Sequence, residues 1–505
     1  MPLYEPFLSH GVRDTPPPEA RARRYVQRHA EAQFEVFGFE PMQTPVLERY
    51  ETLRGQYGVV SERQLLRLHP TTEAETRDSA AAQAGEALRF DLTVPLARYV
   101  ARERRNLDLP FRRYQVGPVF RAQPSGTEEQ HEFSRELWQA DADIIGSESR
   151  FADAEIIALA HAVLRHLGLD DAVITLNHRA LFRGLQTILG IQANTFTRLM
   201  QILNRFATQD EANIREQLQN ECGLSESQIE RVFSTLTLSE ATTHERLDEA
   251  QHRLAESEVA RSGVDELRRI LDGLEAFDVP ASAVKLDLFT TRTFDYYTGL
   301  VFKTQLPRLP GLGSVISGGR YGDMIAGFLG QVVPAVGLSV RVDRLADALM
   351  RLESASEAAM TTTRLVILAG PSEDVRDALR LASRFREAGI ACEVSFEPAP
   401  LAHEAKRAER LGIPFLASLV PGEPDRLQLQ SALDPHGAEF TVEQAIAALD
   451  PTVRNEDRAE DSRIAYESET LDTQGLPAAK RNDRVGAATE EESDDDGVTP
   501  EEVQP

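Results

Sequence analysis

Residues 110–146 read PFRRYQVGPVFRAQPSGTEEQHEFSRELWQADADIIG. Two alternating runs, Tyr114–Arg121 and Glu132–Ile145, flank a polar loop that carries Pro124 and Gly126. That pattern predicts a long hairpin and commits this part of the chain to antiparallel pairing. Arg121 and Arg135 fall on the two arms, and Gln139, Asp141 and Asp143 alternate along the return strand. A solvated edge strand gives the same alternation. The only tryptophan, Trp138, and the run Ala142–Ile145 argue instead that the return strand is largely buried. Buried carboxylates and arginines need partners or a ligand.

A second stretch, Thr291–Lys303, reads TRTFDYYTGLVFK. Alternation predicts a strand with Phe294, Tyr296 and Thr298 on one face and Asp295, Tyr297 and Gly299 on the other. Arginine, aspartate and tyrosine on one strand offer a cation, an anion and hydroxyls, which suits a small zwitterion with a polar ring. A half-buried strand with a wet face is the plainer reading of the same residues.

The remaining chain alternates between types of element. Glu19–Phe37 reads as a helix, with Pro18 at its start and Gly38 at its stop. The two prolines of Phe39–Leu53 suit an edge or interface strand. Ala87–Glu103 reads as a strand leading into a helix. There Asp91 and Thr93 share a face if the strand reaches them, and Thr93 equally suits a helix cap. Arg150–Leu167 is an amphipathic helix, and Arg179–Ala276 is helical almost throughout. Strands return at Val284–Phe289 and at Leu312–Tyr321, whose Gly318-Gly319 allows close approach. A strand then runs into a helix over Val332–Arg351, with Arg344 near the junction. Residues 353–363 read as a linker. Residues 364–450 alternate strand and helix, which predicts a compact α/β domain with a mostly parallel sheet.

Composition narrows the function classes. Net charge is −26, of which the last 55 residues contribute −10, so residues 451–505 read as a disordered acidic tail. Only four of the 55 basic residues are lysine. A nucleic acid would have to meet a local arginine patch, since the surface as a whole is not basic. Cys222 and Cys392 support neither a disulfide framework nor a metal cluster and fit a reducing cytoplasm. No apolar run is long enough to span a membrane, and residues 1–14 lack a secretory signal pattern.

Taken in order, these stretches resemble histidyl-tRNA synthetase, a class II aminoacyl-tRNA synthetase, from Gly11 to Asp450. GVRD, the following helix and FEPMQTPVLE resemble that family's motif 1, a dimer-interface element. LRFDLTVPLARY is similar to its first histidine-pocket segment, and RYQVGPVFRAQ…SRELWQADADIIG to motif 2. FDYYTGLVF resembles the family's own histidine motif, SGGRYGDM the segment after it, and VPAVGLSVRVDRL motif 3. The C-terminal stretch, with KRAERLGIPF, is similar to the anticodon-binding domain.

The resemblance implies an α+β fold: a class II antiparallel sheet flanked by helices (1–178 and 280–352), an inserted helical module (179–279) and a C-terminal α/β domain (364–450). It implies a cytoplasmic homodimer acting on L-histidine, ATP with Mg2+, and tRNA(His), with no protein-held metal site. It places Asp91, Thr93, Gln139, Asp143, Arg292, Tyr296, Tyr297 and Tyr321 at histidine. It places Arg121, Arg135 and Arg344 at ATP, with Arg292 and Arg121 as the catalytic cations. The chain departs from the family pattern at several points. Gln123 stands where glutamate is usual, Phe133 replaces an arginine, and Thr293 and Arg341 replace glycines. Lys303 replaces a glutamate, and the motif 2 loop carries Glu128, Glu129 and His131. The histidine pocket is thus better kept than the ATP pocket. That asymmetry leaves an alternative, the non-charging, synthetase-like regulatory subunit of ATP phosphoribosyltransferase, whose partner would be the phosphoribosyltransferase itself.

Overall fold

The computed structural model describes residues 6–57, 62–68, 85–125, 134–203, 210–239, 241–290, 297–352, 361–369, 375–396, 400–431 and 436–449, excepting the side chains of 123–125. The tail 451–505, most of the linker, the motif 2 loop and residues 291–296 lie outside the described residues.

The predicted hairpin is β4 (Phe111–Ser125) with β5 (Ser134–Ile145), paired antiparallel from Phe111↔Ile145 to Phe120↔Glu136. It sits inside an eight-stranded sheet with β1 (Glu40–Pro41), β6 (Val173–His178), β7 (Val284–Leu286), β8 (Tyr297–Gln305), β9 (Ile316–Tyr321) and β10 (Ala335–Arg341). The order is β1-β4-β5-β10-β9-β8-β6-β7. Pairing is antiparallel except for β1 with β4 and β6 with β7. A short ribbon, β2 (Leu47–Arg49) with β3 (Glu86–Leu88), stands beside it.

Helices Pro17–Val36, Arg150–His166 and Val342–Arg351 pack on one face of the sheet. Arg150–His166 starts where the Ser149 hydroxyl accepts from the Phe151 N–H, and the helix buries Ile156, Ile157, Leu159 and Val163. Six helices are described between Arg179 and Ala276. Two begin with reciprocal capping boxes, Ser225/Gln228 and Thr242/Glu245. Their apolar faces join the same core as the sheet. Polar ties add to this: His178 Nε2 lies 3.1 Å from Glu266, and the Arg246 Nε donates to the Leu286 carbonyl at 2.8 Å. No described helix is long and apolar enough to cross a membrane.

A second sheet, with its own core, is formed by β11 (Leu365–Leu368), β12 (Cys392–Ser395), β13 (Phe415–Val420), β14 (Glu423–Ser431) and β15 (Ala438–Thr441). β11 pairs parallel with β12 and β13, but β13–β14 and β14–β15 are antiparallel. The sheet is therefore half parallel, not mostly so. The turn at Pro421-Gly422 sends the chain straight back instead of through a helix, and the exposed, charged start of β14 hides its strand character.

The return strand is largely buried, as expected, with Ala140–Ile145 fully so and Trp138 itself half-buried. One local expectation changes. Thr93 does not cap a helix; it is the first residue of Thr93–Glu103. Asp91 does the capping, its Oδ1 accepting from the Val94 N–H at 3.0 Å.

Candidate active site

Directly opposed residues of neighbouring strands share a face. The register therefore lays Arg113, Asp143, Gly337 and Gly319 in one row across β4, β5, β10 and β9. Gln115, Asp141, Ser339, Ser317 and Lys303 form the next row, ending on β8. Gly117, Gln139 and Arg341 form a third. Above these rows lies a cavity of about 320 Å³, within the size range of small-molecule sites.

The cavity brings together seven of the residues named from sequence: Asp91, Thr93, Arg121, Gln139, Asp143, Tyr297 and Tyr321. Arg135 does not line it; its guanidinium donates to the Arg121 and His10 carbonyls. Arg344 is one residue shell away, donating from Nη1 to the carbonyl of the lining residue Ser314 at 2.8 Å. Arg292 and Tyr296 fall outside the described residues.

Glycine makes the floor possible. A Cβ at Gly337 would meet Asp143 Oδ1 at 1.9 Å, and one at Gly319 would meet the Tyr297 ring at 2.8 Å. The Asp143 carboxylate and the Tyr297 ring thus rest directly on backbone. Gly337→Ala is expected to displace Asp143 and to destabilise the protein by about 1–3 kcal/mol, read as a lower urea midpoint.

Three carboxylates are buried here, and burial raises the pKa of each above its ordinary value. Asp143 is committed within the protein. Its Oδ1 accepts from the Tyr321 hydroxyl at 2.7 Å, and Oδ2 lies 2.8 Å from the fully buried Arg113 guanidinium. Asp91 Oδ1 accepts from the Tyr57 hydroxyl at 3.0 Å as well as from Val94. Asp141 is pushed up to about 7, burial being opposed first by Arg113 and reinforced by Asp143. Five oxygens of the lining are buried without a hydrogen-bond partner among the described residues: Asp143 Oδ2, which is ion-paired to Arg113, the Ser339 hydroxyl, and the acceptors Asp91 Oδ2, Gln139 Oε1 and Asp141 Oδ1. Unsatisfied acceptors are rare in native interiors. Their convergence on one cavity calls for a ligand rich in N–H groups. Arg121, 7% exposed and with its guanidinium carbon 3.4 Å from the Phe90 ring centroid, supplies the opposite charge.

A family model described as Histidyl-tRNA synthetase matches residues 11–345. The chain belongs to the histidyl-tRNA synthetase family. It is 33% identical over 420 residues to a "Histidine--tRNA ligase" of Rhodopirellula baltica, covering 83% of this chain and 91% of the relative. Its identity to the protein of the same name from Clostridium tetani is 30% over 420 residues, 82% and 91% of the two chains. Among solved structures, histidyl-tRNA synthetase from Nostoc sp. PCC 7120 superposes with a TM-score of 0.74 at 26% identity, covering 88% of this chain and 99% of that one. A Bacillus halodurans protein titled as an ATP phosphoribosyltransferase regulatory subunit/histidyl-tRNA synthetase shares the fold, with a TM-score of 0.63 at 24% identity over 81% and 97% of the chains.

Set against the histidyl-tRNA synthetase pattern, two departures converge in space. Lys303 and Arg341, which stand for a glutamate and a glycine, both line the cavity. Both add positive charge to it. Arg113 and Tyr57 were not singled out from sequence. Asp141 was visible in the alternation of its strand, but the resemblance gave it no role. Arg113 and Tyr57 are brought in by strand register and by packing against Asp91, which a single sequence does not display.

Proposed function

We propose that the protein activates L-histidine with ATP and transfers it to tRNA(His). The observation that carries this is the set of donorless acceptor oxygens facing Arg121 across one small cavity. The imidazole lies at the Asp143–Tyr321 end, with the Tyr297 ring as its wall. Asp91, Thr93 and Gln139 hold the amino acid backbone. A site built to hydrogen-bond an imidazole rejects apolar side chains, because its buried polar groups would stay unpaired.

The histidine carboxylate oxygen attacks the α-phosphorus of ATP. An O–P bond forms, the bond to the β-phosphate oxygen breaks, and pyrophosphate leaves. Arg121, with Arg292 and Arg344, bears the charge of the pentacoordinate phosphorus. Mg2+ enters with the ATP phosphates as part of the substrate. No side chain acts as a nucleophile; positioning and charge stabilisation carry the step. A hydroxyl of the terminal adenosine of tRNA then attacks the mixed anhydride, releasing AMP. The reading includes a cytoplasmic homodimer, built on the motif 1 segment, and tRNA contact by the domain of the second sheet.

The named relatives, matched over most of their length, support charging over the regulatory-subunit alternative. Incubation with tRNA(His), ATP and labelled histidine is expected to give an alkali-labile histidyl ester on the RNA. Histidine binding with no ester formed, together with co-purification of a phosphoribosyltransferase, would favour the alternative.

A further inference from the structure

Asp141 has no task in the reading above. It is 2% exposed, lines the cavity, and its Oδ1 meets no donor. Across the sheet, the Gln115 amide oxygen accepts from the Thr44 N–H and hydroxyl, the Arg113 guanidinium pairs with Asp143 while also attracting Asp141, and Ser339 stands opposite on β10. A buried carboxylate oxygen without a donor costs stability that a bound donor restores.

Register says which donor. Residues two apart on a strand face lie roughly 6.6 Å apart. Asp141 is one such step from Asp143, toward Gln139 and the arm that carries Arg121. In L-histidine the α-ammonium is separated from the ring by two carbons, and the carboxylate shares its carbon. With the imidazole at Asp143 and Tyr321 and the carboxylate toward Arg121, the ammonium falls in the middle row, at Asp141.

We propose that Asp141 accepts a charge-assisted hydrogen bond from the α-ammonium of the bound amino acid and so selects for a free amino group. The inference rests on the histidine reading of the cavity. Asp91 and Gln139 flank the same position, so Asp141 is the third acceptor for a group with three N–H bonds. The charged and polar groups around Asp141 are Asp143 on its own strand, Arg113 and Gln115 on β4, Ser339 on β10, Asp91 and Arg89 from the segment before Thr93–Glu103, and, on the cavity wall, Arg121, Lys303 and Arg341.

The test is calorimetric titration of the full chain and of Asp141→Asn with L-histidine, histidinol and imidazole propionate, weak ligands being read by displacement of histidine. Histidinol keeps the ammonium and lacks the carboxylate; imidazole propionate lacks the ammonium. Asp141→Asn is expected to weaken histidine and histidinol by about 10–100-fold, the worth of a charge-assisted hydrogen bond, and imidazole propionate by less than about threefold. Equal losses for all three ligands, or no loss for histidine, would overturn the proposal. If the native chain binds none of them, the histidine reading itself fails.

A melting experiment without ligand separates a binding role from a structural one. Burial raises Asp141 in the fold, so its contribution to stability is full below about pH 4, the unfolded value, and is lost as pH rises through about 7. Asparagine has no such loss. Asp141→Asn should therefore melt higher than the native protein at pH 8, with the gap closing at pH 5. A variant that melts lower at pH 8 would mark Asp141 as a structural partner and contradict the proposal.

Discussion

Asp143→Ala is expected to destabilise the free protein by about 3–5 kcal/mol, the usual cost of leaving one member of a buried ion pair alone. Arg113 is the reason. Its side chain is wholly buried, its Nε and Nη1 have no hydrogen-bond partners among the described residues, and besides its ion pair with Asp143 it has the attraction of Asp141 and the Leu92 carbonyl at 3.3 Å. An arginine cannot shed its proton to escape. The Tyr321 hydroxyl loses its acceptor in the same substitution. Urea denaturation should show the loss as a lower midpoint. The reciprocal change, Arg113→Met, should cost less, because Asp143 can take up a proton. Its penalty should shrink further from pH 8 to pH 5. The double variant Asp143→Leu/Arg113→Met should recover much of the stability, since apolar side chains of similar volume often replace a buried pair well. Histidine binding should not recover with it, which separates the fold-bearing role of the pair from its ligand-bearing role.

Arg121→Ala is expected to lower the rate of adenylate formation by about 10²–10³-fold, the range for removing one preorganised charge stabiliser. The affinity for histidine should change little, because Arg121 meets charge that develops at phosphorus. Its guanidinium is held for that purpose by stacking on Phe90 and by donation to the Phe120 carbonyl at 3.2 Å. Arg121→Lys keeps the charge and loses the flat stacking surface, so it should recover only part of the rate. Pre-steady-state measurement of pyrophosphate release distinguishes this from a binding defect, which would appear as a raised KM at unchanged kcat.

Much of the fold was legible because its signals are local. The hairpin, the helix after Pro16 and the helices at Arg150 and Val342 follow from period, caps and breakers. Seven of the residues that the resemblance named line one cavity, whereas Arg135 does not and Arg344 stands one shell away. What stayed hidden depends on register. The pair Arg112 and Arg113 shows this: neighbours on a strand face opposite sides, but the sequence does not say which faces inward. In the fold, Arg112 binds Glu155 on the helix side at 2.6 Å, and Arg113 goes to the pocket side to meet Asp143. Asp91 and Thr93 were placed on one strand face, whereas the helix begins between them and Asp91 caps it. The antiparallel half of the second sheet was hidden by the exposed, charged residues of β14. Lys303 and Arg341 looked like two separate departures until the sheet put both on one cavity wall.

The most direct test is ATP–pyrophosphate exchange with the purified full chain. A histidine-activating enzyme gives exchange that requires L-histidine, is not supported by apolar amino acids, and falls by two to three orders of magnitude in Arg121→Ala. Exchange no higher with histidine than without it, in a preparation that binds histidine by calorimetry, would contradict activation at this site.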